Sequence, residues 1–142
     1  MKKVTLITLF LMCLTFAVKA QDISKQLVGK WTLSDLKLVD KAGNDLKKMT
    51  KEQKKDVTET KAMLMDGTLV FDFMADGSMT SPMYAGGKNT WKIVGKQLEV
   101  TSEKEGKSTV EKSKVKIING VFEMTTPPAR LDGTLLVLMF KK

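Results

Sequence analysis

Histidine is absent from the sequence. That removes the side chain most used to move protons near neutral pH, and with it the commonest transition-metal ligand. Any chemistry on this chain has to run on carboxylates, lysine, tyrosine or serine. Cysteine occurs once, at Cys13, inside the apolar stretch from Val4 to Val18. A lipid-modified cysteine would instead end such a stretch after small residues, whereas Leu11 and Met12 precede this one. Once the first 20 residues leave, no cysteine remains, which excludes disulfides, a thiol nucleophile and thiolate metal sites. Arginine is nearly missing as well, Arg130 being the one example. Nucleic-acid readers use arginine forks and aromatic side chains set among basic residues. Here lysines alternate with acids, so the basic excess reads as a solvated surface and no nucleic-acid partner is expected.

What is present begins with a leader. Lys2 and Lys3 precede the apolar stretch, which ends in Val18-Lys19-Ala20, a plausible cleavage site before Gln21. The stretch is shorter than the roughly 20 residues of a spanning helix, and nothing comparably apolar and long follows. The expectation is a signal peptide at 1–20, one domain at 21–142, and a periplasmic or secreted product with no stable membrane anchor after cleavage. The net charge of +8 falls to +5 when Lys2, Lys3 and Lys19 leave, since no acid leaves with them. A chain of this mature length buries about two thirds of its unfolded surface without covalent staples.

Asp22 to Leu27 forms either a turn of helix or a cover across one end of the domain. Lys30 to Val39 reads as a strand in which Trp31 and Leu33 hold one phase and Leu36 and Leu38 the other. A phase change inside one strand predicts a bulge near Ser34 and Asp35. Gly43-Asn44 marks a turn. Thr50 to Met65 is the one good helix candidate, opened by a Thr50–Gln53 capping box and carrying a thin apolar stripe of Val57, Thr60 and Leu64.

From Gly67 onward the apolar period is two. Strands are predicted at 68–74, 78–84, 89–94, 97–102, 108–118, 121–126 and 134–140, with Pro82 arguing for an edge, a bulge or an end inside the second of these. Asp76-Gly77, Gly95-Lys96, the polar loop 104–107, Asn119-Gly120 and Asp132-Gly133 supply the turns. Eight strands on such short links are antiparallel neighbours, and in up-and-down order they close into a barrel able to enclose one small ligand or to be filled by its own side chains.

Gly29-Lys30-Trp31 resembles the Gly-x-Trp motif of lipocalins. With Leu27-Val28 before it, and with Phe73-x-x-Asp76-Gly77 and Trp91-Lys92-Ile93 after it, the chain is similar to small lipocalin-like proteins exported by Bacteroidota-type bacteria. The resemblance covers nearly all of residues 21–142. It implies a lipocalin-like barrel, in keeping with the all-β, eight-stranded antiparallel up-and-down order read above, whereas the one helix between strands 1 and 2 departs from lipocalins and is more like the lid of intracellular fatty-acid-binding proteins. It also implies that Gly29 allows close packing and that Trp31 is a structural plug. Lipocalins place an arginine after the last strand to stack over that tryptophan; here Lys141 and Lys142 stand there, and no helix follows.

Phe71, Phe73, Met79, Met83, Trp91, Phe122 and Met124 are the expected inward-facing residues, with Tyr84 beside Gly86-Gly87 at a barrel mouth. Methionine and aromatic walls suit varied apolar ligands. The plain alternative is that the same residues fill the barrel. Asp72 and Asp76 lack the spacing of a calcium loop, and turn geometry accounts for Asp76. No catalytic residue, metal ligand or cofactor is expected. The leading expectation is a non-enzymatic binding protein for a small apolar or amphiphilic ligand held in the barrel interior. The competing one is a protein-interaction module with a filled barrel, docking through the helix or the last strand. On that strand Leu135, Val137 and Met139 oppose Leu136, Leu138 and Phe140, so one set needs cover from the helix or from a second copy in a homodimer.

Overall fold

The structure is a computed structural model that describes residues 23–66, 69–126, 130 and 132–142. The leader at 1–20, Asp22, Gly67, Thr68 and Pro127-Pro128 lie outside the described residues. Among the described residues no helix is long and apolar enough to cross a membrane.

Eight antiparallel strands follow one another: β1 (Gly29–Val39), β2 (Val70–Phe73), β3 (Met79–Thr80), β4 (Lys88–Val94), β5 (Gln97–Lys104), β6 (Lys107–Ile118), β7 (Val121–Thr126) and β8 (Leu135–Lys141). Their order in the sheet is β3-β2-β1-β8-β7-β6-β5-β4. The first and last strands pair over the length of β8, from Thr32 opposite Lys141 to Val39 opposite Leu135. The sheet therefore curls into a nearly closed barrel whose thin seam lies between β3 and β4, bridged at Ser78 and Thr90 and by the Trp91 amide donating to the Gly77 carbonyl (2.8 Å). This is the architecture of a lipocalin-like all-β barrel.

Local chemistry explains the path. The register of β1 on β8 slips between Leu33 and Asp35. The slip is the bulge that the phase change predicts, and the Ser34 hydroxyl pins it by donating to the Met139 carbonyl (3.0 Å). A bulge bends a strand, and a small barrel needs its strands bent. Asn119 and Gly120 take φ of 51° and 74° between β6 and β7, the paired positive values that a tight hairpin turn demands.

Residues 23–27 are helical. Leu27 from this turn is fully buried, and its carbonyl accepts the Trp31 indole N–H (2.7 Å). The Lys142 ammonium sits 5.0 Å from the Trp31 ring centroid and donates to the Val28 carbonyl (2.8 Å). A lysine thus occupies the place over the tryptophan where the resemblance puts an arginine. Gly29 has φ of +123°, and a Cβ there would meet the end of Lys142 at 3.4 Å. Its missing side chain serves both the backbone and the approach of that lysine.

The long helix α1 (Lys51–Leu64) has the predicted capping box: the Gln53 amide donates to the Thr50 hydroxyl and the Thr50 amide to the Gln53 side chain. Val57 and Leu64 pack on the edge of the core. Three polar ties hold the helix down. The Gln53 amide group donates to Asp132 (3.1 Å), Asp56 pairs with Arg130, and Lys61 pairs with Asp35 at the bulge (2.6 Å). With so thin an apolar stripe, these ties and the N-terminal cap fix where the helix lies.

The predicted strand at 78–84 is much shorter than expected. Only Met79 and Thr80 pair with β2 before Pro82 opens a 3-10 turn (Pro82–Tyr84). Proline lacks the N–H of a continuing ladder, and the Ser81 hydroxyl accepts the Met83 amide (3.3 Å), capping the turn instead.

Candidate functional site

The barrel interior is an aromatic cluster. Phe71 stands 5.7 Å from Phe73 and 5.1 Å from Phe140; Phe122 lies 5.4 Å from Phe140, 5.9 Å from Phe73 and 5.6 Å from Trp31. Phe73 also meets Trp91 at 5.2 Å, and the Trp91 indole N–H donates to the Met74 carbonyl (3.1 Å). These are the edge-on and offset separations at which rings attract. Six of the eight predicted site residues, Phe71, Phe73, Met79, Trp91, Phe122 and Met124, are buried here. Met83 and Tyr84 are not part of that packed set. The 3-10 turn lifts Met83 out until it is 50% exposed, and it leaves Tyr84 half-buried against Phe71, 6.3 Å between ring centroids.

The ladder between β6 and β7 runs from Ile118 opposite Val121 to Lys114 opposite Thr125. Residues 107–113 of β6 continue past it with β5 as their paired neighbour. The overhang, the end of β7 and the 3-10 turn enclose an open groove of about 510 Å³, lined by Met83, Tyr84, Val110, Glu111, Lys112, Ser113, Met124 and Thr126. The volume is in the range of small-molecule sites. Its floor is Met124 and its apolar rim is Met83, half exposed, while Val110 borders it from the outward phase of β6.

The polar groups of the groove have defined states. The Tyr84 hydroxyl donates to a Glu111 carboxylate oxygen (2.8 Å), spanning from the turn to the opposite wall. Burial first, then the hydrogen bond to Glu111 and its charge, push the Tyr84 phenol well above its usual range, so it remains a neutral donor. Glu111 shares the inward phase of Ser113 and Val115. Lys112 points the other way, where its ammonium meets Glu99 (2.9 Å) together with Lys92 (3.1 Å). Those two lysines, Lys112 first, hold the Glu99 carboxyl below the usual range. Behind the turn, the Asn89 side-chain amide donates to the Tyr84 carbonyl (2.9 Å), while its buried oxygen finds no protein partner among the described residues.

Val110, Glu111, Ser113 and Thr126 did not stand out as site residues in the sequence. Glu111 carries a readable signal, a carboxylate in phase with Val115 and Ile117 on a long strand. The register that leaves β6 overhanging has no such mark.

Other grooves hold none of the predicted site residues. One, of about 610 Å³, runs along α1 past Thr50, Glu52, Gln53, Asp56, Arg130 and Asp132, and most of its polar groups are engaged with one another across it. Another, of about 700 Å³, lies beside Ile23, Lys96 and Lys114. The outward side chains of β8 are Leu135 and Met139, half-buried, and Val137, buried between its register neighbours Lys37 and Thr125. Lys37 reaches across this face to Asp45 (2.9 Å) and Glu123 (3.9 Å). Asp72 and Asp76 lie apart from the groove. Asp76 is held by its turn, accepting from the Ser78 hydroxyl (2.5 Å) and amide (2.8 Å), and these lower its carboxyl value. No cluster of acidic side chains suited to a metal ion occurs among the described residues.

Comparison with protein-family models, with curated proteins and with solved structures returns no match.

Proposed function

We propose that this chain is an exported, non-enzymatic binding protein of lipocalin-like kind, whose ligand is a small amphiphile seated in the groove between the 3-10 turn and β6–β7. The observation that carries the reading is the pairing of Met83, half exposed, with the buried Met124 floor in a groove of about 510 Å³. An exposed flexible thioether at the rim and a second one beneath it form an adaptable apolar surface that water covers poorly. The aromatic interior serves as the rigid base that holds this surface open, and the apolar part of the ligand rests on that base rather than replacing it.

Export rests on the leader at 1–20, and the absence of catalysis on a histidine-free chain with no cysteine after that leader. The test is titration of the mature chain with Nile red, a neutral apolar dye, in parallel with a Met83→Lys variant. The substitution falls at a half-exposed position, so the fold is retained. Saturable binding by the native chain, lost in the variant, is the expected result. No saturable binding, or binding untouched by the lysine, overturns the reading.

A further inference from the structure

The groove contains one inward charge, and it is negative. Glu111 faces the groove among Met83, Met124, Ser113 and Thr126, while the Lys112 ammonium is drawn to Glu99 on the outer face. Behind the turn the Asn89 amide nitrogen donates to the Tyr84 carbonyl, while its buried oxygen has no partner among the described residues. Among the described residues, the one donor aimed at Glu111 is a neutral phenol. A carboxylate with a neutral donor has unmet capacity, because it offers about four lone-pair sites and gains most from a charged N–H.

Resting on the reading of this groove as a binding site, we propose that its ligand is a cationic amphiphile. The ligand's protonated amine pairs with Glu111, and its hydrocarbon part lies across Met83 onto Met124. The amine joins or displaces the Tyr84 hydroxyl at the carboxylate, so ligand entry loosens the strut between the turn and β6.

The long-range field argues for the opposite ligand, since residues 21–142 carry a net +5 and Lys104 lies against Gly86 in the loop after the turn. Screening confines that field to about 10 Å at ordinary ionic strength. A preference for amines therefore comes from the local carboxylate alone, which makes charge selectivity a sharp readout. The experiment is calorimetric titration of the mature chain with decylamine, decanol and decanoate, each kept below its micelle concentration, and then of Glu111→Gln. The amine is expected to bind about five- to tenfold tighter than the alcohol, the size of one partly exposed charged hydrogen bond, with decanoate weakest. In Glu111→Gln, which keeps an acceptor for Tyr84, the amine-to-alcohol ratio falls to about one.

Equal affinities for all three, or tightest binding of decanoate, overturn the cationic ligand and leave the binding reading standing. No binding of any of the three overturns both. The native-chain ratios decide the matter even if the variant folds poorly.

Discussion

Truncating Phe122 to alanine probes whether the barrel is packed solid. The ring is fully buried and touches Trp31, Phe73 and Phe140 at 5.6, 5.9 and 5.4 Å. Removing a buried phenylalanine side chain costs about 3–5 kcal/mol, a transfer loss plus the cavity left behind. Two of the three contacts are edge-on, and such pairs add about 0.5–1.5 kcal/mol each beyond area, which puts the expectation near the top of that range. Domains of this size are stable by about 5–15 kcal/mol, so Phe122→Ala is expected to fold close to its threshold. The assay is urea unfolding followed by circular dichroism, with the slope against denaturant unchanged from native. Met83→Ala is the contrast: a half-exposed methionine on a turn is expected to cost under about 1 kcal/mol. A loss below about 2 kcal/mol for Phe122→Ala would refute the packed interior, because it would mean the ring lines space rather than fills it.

Two further outcomes follow from the ends of the barrel. Lys142→Ala removes a cation over Trp31 and a donor to the Val28 carbonyl. It is expected to lower stability by about 0.5–1 kcal/mol in the same unfolding assay, with most of that recovered in Lys142→Arg, and equal losses in both variants would count against the stacking role. Asp132 accepts from the Thr134 hydroxyl and amide and from Gln53, which lower its carboxyl from 3.8 to about 2. A depressed value means the stabilisation is complete above 3.8 and fades as pH falls toward about 2. The melting temperature of the native chain should therefore drop more steeply across that window than that of Asp132→Asn, and parallel curves would show that this anchor of α1 contributes nothing.

The barrel was legible because its determinants are local. Turn pairs such as Asn119-Gly120 accept positive φ, period-two strands alternate Phe71 and Phe73 with Asp72, and the phase change in β1 requires a bulge. The capping box at Thr50 and Gln53 likewise marked the start of α1 with nothing more than a three-residue spacing. Less of the candidate site could be seen. Pro82 signalled an interruption, yet whether the chain would bend or end its strand there depended on Ser81 capping a 3-10 turn, a choice made by tertiary fit. The groove exists because β6 outruns β7, and strand register over that distance is set by the whole closed sheet. Tyr84 and Glu111 meet across 27 residues of sequence, a contact that neither residue announces. The lysine over Trp31 shows the converse case: the position was legible from the resemblance, and the chemistry was met by a different cation.

The most direct test uses the methionines as reporters. With their methyl groups isotopically labelled, NMR titration of the mature chain with decylamine should shift Met83 and Met124, which line the groove, while Met79, buried in the core cluster and outside the groove lining, stays still. Movement of Met79 with Met83 unchanged would place the ligand in the barrel depth and contradict the account.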